Sequence, residues 1–228
     1  MEESECILEA RGLHKSFGRP PAREHVLRGL DLRVARGEFL AVMGPSGCGK
    51  STLLHVLGLM AAPDEGQVWI GGREVSGLGE ADRARVRRER IGFIFQRFNL
   101  ISVLSGYDNI RLSLRIRGAG DGDEAVAALL ESLGVAAAAR RKPAQMSIGQ
   151  QQRVAVARAL AGTPELLLAD EPTGSLDSAN QQGLLEMLRW ANTAKQQTIL
   201  MITHAAHVAA EADRIVTMRD GRIVGQDA

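Results

Sequence analysis

The spacing of apolar residues changes several times along this chain, and each change marks an element. Cys6 to Ala10 and Val26 to Val34 alternate apolar with polar positions, as half-buried strands do. Glu38 to Met43 is a short apolar strand that runs directly into a glycine-rich stretch. Leucines and a valine at helical spacing predict a helix from Ser51 to Met60, ended by Pro63-Asp64-Glu65-Gly66. Gln67 to Ile70 and Arg73 to Val75 predict a hairpin around Gly71-Gly72, and Ile91 to Phe95 a buried strand. Between them, Glu80 to Arg90 reads as a charged helix whose five arginines are interleaved with Glu80, Asp82 and Glu89, the composition of a solvated face.

From Arg97 to Thr163 the pattern turns mainly helical, with a loop at Gly118 to Asp123, an amphipathic helix from Glu124 to Leu133 and a helical run from Val154 to Ala161. Strands resume at Leu166 to Asp170 and Thr198 to Thr203, flanking a helix from Ser178 to Ala194. A strand pair, Arg214 to Met218 and Arg222 to Val224, turns around Asp220-Gly221. Strands alternating with helices imply a mainly parallel sheet covered on both faces. The expectation is one α/β domain: a core of residues 1–96 and 164–228, its N-terminal part an antiparallel β subdomain, with a helical subdomain inserted at about 97–163. Neither an internal repeat nor a linker is legible.

Composition narrows this little. The 228 residues are 45% hydrophobic and 24% charged with a net charge of +1, which gives no general argument for nucleic acid or anionic lipid as a partner. Met1-Glu2-Glu3-Ser4-Glu5 is acidic where a secretory signal would be basic, and the apolar runs are strand-length, too short to span a bilayer. Cys6 and Cys48 offer neither metal-ligand spacing nor a disulfide framework, so a cytoplasmic protein is expected.

The chemistry lies in four places. Gly44-Pro45-Ser46-Gly47-Cys48-Gly49-Lys50-Ser51-Thr52 fits G-x-x-x-x-G-K-[S/T] between a strand and a helix, the P-loop of RecA-like NTPases. Its glycines let successive N–H groups curl around an anion, and the helix N-terminus behind them favours phosphate. Lys50 would reach the β- and γ-phosphates of ATP, and Ser51 would ligate Mg²⁺. Leu166 to Asp170 is an apolar strand ending in Asp170-Glu171, which places two carboxylates at the sheet's carboxyl edge: Asp170 for Mg²⁺, Glu171 as general base. Gln96 and His204 also follow apolar strands, and both are expected on that edge as γ-phosphate sensors, Gln96 also as a candidate Mg²⁺ ligand. Finally, Ser147 and Gln150 form an S-x-x-Q capping box, and Ser147 with the Gly149 amide makes a second anion site. Two phosphate sites in one chain suggest that they meet across a dimer.

In this order the residues resemble the nucleotide-binding subunits of ABC transporters, over nearly the whole chain. Phe17, Gly44 to Thr52, Gln96, Ser147 to Gln150, Asp170-Glu171, Ser175-Leu176-Asp177 and His204 stand where that family has its aromatic, Walker A, Gln-loop, signature, Walker B, D-loop and His-switch elements. The resemblance implies a head-to-tail dimer, of two copies or of paired ATPase subunits, that sandwiches two ATP molecules. Phe17 would stack on adenine and Asp177 would link the two sites. The helical subdomain would pass ATP-driven closure to integral membrane permease subunits, holding the chain on the inner face of the cell membrane, with no nucleic acid involved. Phe95-Gln96-Arg97-Phe98-Asn99-Leu100 and Asp170 to Asp177 resemble the branch serving lipoprotein release and macrolide-type efflux. ABC-type ATPases acting on DNA or ribosomes share the ATP site but carry long coiled coils or fused cassettes, and no heptad run persists here. An ATP-binding switch of little turnover is opposed by Glu171 and His204, and a GTPase by Phe17 and the signature.

Two positions depart from expectation. Ile148 stands where the signature has its first glycine, and a β-branched residue resists positive φ and close backbone approach. Cys48, at a helix N-terminus beside Lys50, is expected to be a reactive thiol whose alkylation blocks ATP binding and which MgATP protects.

Overall fold

The computed structural model describes residues 6–118 and 122–227. The acidic first five residues and the middle of the predicted 118–123 loop lie outside the described residues. Two sheets organise the rest. Strands β1 (Cys6–Phe17), β2 (Glu24–Ala35), β4 (Glu65–Ile70) and β5 (Arg73–Glu74) form an antiparallel sheet in the order β2-β1-β4-β5. Strands β3 (Phe39–Met43), β6 (Ile91–Phe95), β7 (Leu166–Asp170), β8 (Thr198–Thr203), β9 (Arg214–Arg219) and β10 (Arg222–Asp227) form the second, ordered β10-β9-β3-β8-β7-β6. All its pairings are parallel except that of β10 with β9.

The six-stranded sheet separates two cores. Its inner strands β3, β7 and β8 are buried on both sides, and the period-two alternation sorts their residues cleanly. Phe39, Ala41, Leu167, Ala169, Ile199 and Met201 face one core. Leu40, Val42, Leu166, Leu168, Leu200 and Ile202 face the other. The first core is closed by α3 (Gly106–Arg117), α4 (Asp123–Ser132), α5 (Ala136–Ala139), α6 (Ile148–Leu160) and α7 (Ser178–Lys195). The second is closed by α1 (Lys50–Leu57), the charged helix α2 (Glu80–Arg90) and the antiparallel sheet. A single turn of helix, α8 (Ala206–Ala209), follows β8. This is the P-loop NTPase arrangement, with an antiparallel N-terminal sheet and helices inserted between β6 and β7.

Element identities follow the sequence; several ends do not. β1 continues past Ala10 to Phe17, although Gly12 at φ +55° and three register shifts against β2 after Ala10 break its alternation. Helix α1 starts at Lys50 and stops at Leu57, because Gly58 and a left-handed Leu59 (φ +58°) end it before Met60. Helix α6 starts six residues before the predicted Val154, at the turn that Ser147 caps.

Candidate ATP site

Strand register assembles the site. Phe95 pairs with Asp170, Asp170 with Ile202, and Met43 with Thr203. The residues that follow, Gln96, Glu171, His204 and Gly44, therefore leave the carboxyl edge of four adjacent parallel strands, where ligands bind in open α/β sheets.

The Gly44–Thr52 loop needs its glycines for local reasons. A Cβ on Gly44 would lie 2.2 Å from the carbonyl oxygen of Met218, and one on Gly49 would touch Val26 at 3.0 Å. Gly47 (φ +80°) and Gly49 (φ +101°) hold left-handed backbone. A Cβ on Gly47 would meet nothing within 4 Å, so this part of the loop lies open. Helix α1 begins at Lys50 with no side chain capping its first turn and no acidic residue in it. Its leading N–H groups are thus left to an anion. Lys50 is only 6% exposed, and its ammonium donates to the carbonyls of Gly44 (2.8 Å) and Pro45 (2.9 Å), which leaves one N–H for a further acceptor.

Ser51 and Asp170 come together as expected: the Ser51 hydroxyl donates to Asp170 Oδ1 at 3.3 Å. Burial pushes the Asp170 carboxyl above its ordinary value, partly opposed by the Ser51 bond and the nearby His55. Among the described residues no group of three or more His, Cys, Asp and Glu is placed to hold a metal. The protein thus offers one hydroxyl and one carboxylate, which fits Mg²⁺, an ion that keeps its waters and takes the rest of its shell from phosphate. Gln96 joins neither. Its side-chain amide packs over Gly174, and its carbonyl accepts the Ser175 hydroxyl at 3.0 Å.

Glu171 follows Asp170 in left-handed backbone (φ +43°), a conformation that costs a non-glycine residue about 1–2 kcal/mol. Its N–H is held by Ile202 O at 3.0 Å, and its own carbonyl accepts from Gly174 N–H at 3.0 Å. So fixed, its carboxylate Oε1 lies 3.3 Å from His204 Nδ1. Phe17 ends β1 opposite Glu24, two residues from the Val26 that abuts Gly49. It is 48% exposed, with the Lys15 ammonium 5.6 Å from its centroid.

The signature segment is built as its sequence implies. Ser147 Oγ accepts Gln150 N–H at 3.2 Å and Gln150 Oε1 accepts Ser147 N–H at 3.0 Å, closing the capping box of α6. Gln150 therefore spends its side-chain carbonyl on its own helix. None of the hydrogen bonds or ion pairs among the described residues joins Ser147–Gln150 to the Gly44–Thr52 loop. Asp177 caps α7, accepting the backbone N–H of Asn180 at 2.9 Å.

The expectation for Cys48 is corrected. Cys48 does not offer its thiol to solvent: it is 6% exposed and its Sγ packs toward Gly44 within the core that holds Leu53, Val216 and Met218. Ser46 and Gly47 are the exposed tip of the loop. Ile148 leaves the backbone unstrained, in keeping with a usable signature turn. It opens α6 without a positive φ, its side chain half exposed.

The sequence reading passed over Val26 and Asn180. Nothing local marks Val26 as the seat of the phosphate loop. Asn180 had a readable signal, since D-x-x-N before a helical run has the spacing of an N-cap and its N3 partner.

Residues 27–174 match the family model described as ABC transporter. The chain is 41% identical over 217 residues to a macrolide export ATP-binding/permease protein of Bdellovibrio bacteriovorus, covering 95% of this chain and 33% of that protein. It is 41% identical over 220 residues to an uncharacterized ABC transporter ATP-binding protein of Methanocaldococcus jannaschii, covering 96% of this chain and 98% of the relative. It thus spans about a third of the macrolide exporter it matches and nearly all of the archaeal protein. The fold superposes with a TM-score of 0.87 and 34% identity on a dimeric ATP-binding cassette in a post-hydrolysis state bound to ADP and Pi, covering 97% of this chain and 98% of that one.

Proposed function

This chain belongs to the ABC transporter family, and on that premise we propose that it is the ATP-hydrolysing subunit of an exporter or extraction complex. ATP would be bound between the Gly44–Thr52 loop of one copy and the Ser147–Gly149 turn of another. The observation that carries this reading is that Lys50, Ser51, Asp170, Glu171 and His204 are linked by contacts at the phosphate-loop edge, while the capping box at Ser147 shares no hydrogen bond or ion pair with that loop among the described residues. A second chain that supplies the α6 turn completes a site that neither chain holds alone.

The residues divide the work. The α1 amides and Lys50 bind and orient the β- and γ-phosphates, while Ser51 and Asp170 would hold Mg²⁺, which would offset phosphate charge. Glu171 takes the proton of the water that attacks the γ-phosphorus. The water oxygen bonds to phosphorus as the bond to the bridging oxygen breaks, and ADP leaves. His204, against Glu171, orients that carboxylate and contacts the γ-phosphate. Phe17 offers its exposed face to adenine.

A membrane permease as partner is supported by the name of the macrolide relative, which joins both functions in one protein. It is also supported by Ile101 and Val103, exposed on the segment between Gln96 and α3. No helix among the described residues is long and apolar enough to cross a membrane, so attachment at the cytoplasmic face would come through that partner. The test is purification of the tagged chain from detergent-solubilised membranes. A stoichiometric polytopic partner whose loss releases the chain is the expected result. Recovery of the chain free of membranes, alone or with ribosomes or DNA, would overturn the transport reading.

A further inference from the structure

One side chain lies against the starts of both α6 and α7. Asn180 donates through Nδ2 to both carboxylate oxygens of Asp177, at 3.0 and 3.1 Å, beside the backbone bond from its own N–H at 2.9 Å. Three of the roughly four lone-pair sites of that carboxylate are thus taken by a single residue. The other end of the same amide faces the signature turn: a Cβ on Gly149 would lie 2.5 Å from Asn180 Oδ1. The amide can serve Asp177 in this pose only if residue 149 carries no side chain.

From this contact we infer that Asn180 is a positioning residue that locks Asp177 and the Ser147–Gly149 turn into one surface, presented as a unit to the partner chain's nucleotide. The inference rests on the two-chain reading above and adds to it a link within each chain. Ser147 and Asp177 cap two different helices, from opposite sides of β7 in the sequence. Without the link, each cap could settle on the partner separately; with it, displacement of α6 carries Asp177 along. The chemistry selects asparagine. Aspartate would keep an oxygen toward Gly149 but set a like charge against Asp177, alanine would serve neither end, and glutamine would overreach by a methylene.

The experiment uses the full chain with Glu171→Gln, so that ATP is not consumed. Sedimentation velocity gives the dimer dissociation constant in MgATP, a fluorescent ATP analogue gives the affinity of the monomer, and a melting curve reports the fold. The backbone cap from residue 180 survives substitution, so α7 should still form. Asn180→Ala should weaken the dimer roughly tenfold, the loss of a charge-assisted hydrogen bond, with monomer affinity and melting unchanged. Asn180→Asp should weaken it further. Gly149→Ala displaces the amide, so adding Asn180→Ala to it should cause little further loss. An unchanged dimer constant in Asn180→Ala, or equal falls in melting, monomer affinity and dimerisation, would overturn the inference while leaving the two-chain reading intact. If the Glu171→Gln chain forms no dimer in MgATP at all, both fall together.

Discussion

Glu171 Oε1 and His204 Nδ1 stand 3.3 Å apart, on residues 33 positions distant in the chain, because β7 and β8 are parallel neighbours that end in step. The contact places a carboxylate whose backbone is held in an unfavourable conformation against a side chain that can orient it. In the proposed mechanism, base and orienter are thus preassembled within one chain.

Glu171→Gln is expected to bind ATP as the unmodified chain does and to lose about 10²–10⁴-fold in turnover, the usual worth of a positioned general base. His204→Ala should lose turnover with little change in KM. Steady-state phosphate release set beside equilibrium nucleotide binding checks both. Normal hydrolysis by the Glu171→Gln chain would remove that residue from the base role.

Lys50→Ala should fail at an earlier step. The ammonium braces the Gly44 and Pro45 carbonyls, and in the proposed site its remaining N–H would meet the phosphates. Its removal should weaken ATP binding by at least about tenfold, the range of one charged hydrogen bond, and abolish hydrolysis. Titration calorimetry with MgATP reads the first effect directly.

Thiol chemistry should now run opposite to the sequence expectation. With Sγ enclosed, Cys48 should resist iodoacetamide in the native chain, with or without MgATP, and react once the chain is unfolded in guanidinium. Mass spectrometry of the Cys48 peptide decides it. Rapid native labelling blocked by MgATP would restore the exposed thiol.

Acid should loosen the antiparallel sheet through Asp64. Its carboxyl sits below its ordinary value because it accepts the Lys15 ammonium at 2.8 Å and the Ser16 N–H at 2.7 Å. A depressed folded pKa stabilises fully above the unfolded value of about 3.9, and that contribution fades as pH falls from there through the folded pKa. Denaturant midpoints measured across this range should fall with pH, and Asp64→Asn should flatten that slope.

How much of this was legible depended on the range of the signal. Strands β3, β6, β7 and β8 were readable because residues buried on both faces are uniformly apolar, and the loops at their carboxyl ends then stood out as polar interruptions. The capping box at Ser147 was local and survives intact. Phe17 is legible only by resemblance, because bulged register hides the alternation of its strand beyond Ala10. The burial of Cys48 was hidden too: which way a loop side chain turns is set by Met218 and Val216, about 170 residues away, and not by its neighbours. Asn180 against Gly149 is a contact between two helices, and spacing within either helix carries no trace of it.

The central claim is that the ATP site is shared by two chains, and the molecular mass of the Glu171→Gln chain in solution tests it most directly. Light scattering behind size-exclusion chromatography should give a dimer in MgATP and a monomer in MgADP, with the ATP dimer lost on Ser147→Arg, which blocks the α6 turn. A monomer under both nucleotides, with ATP demonstrably bound, would contradict the account.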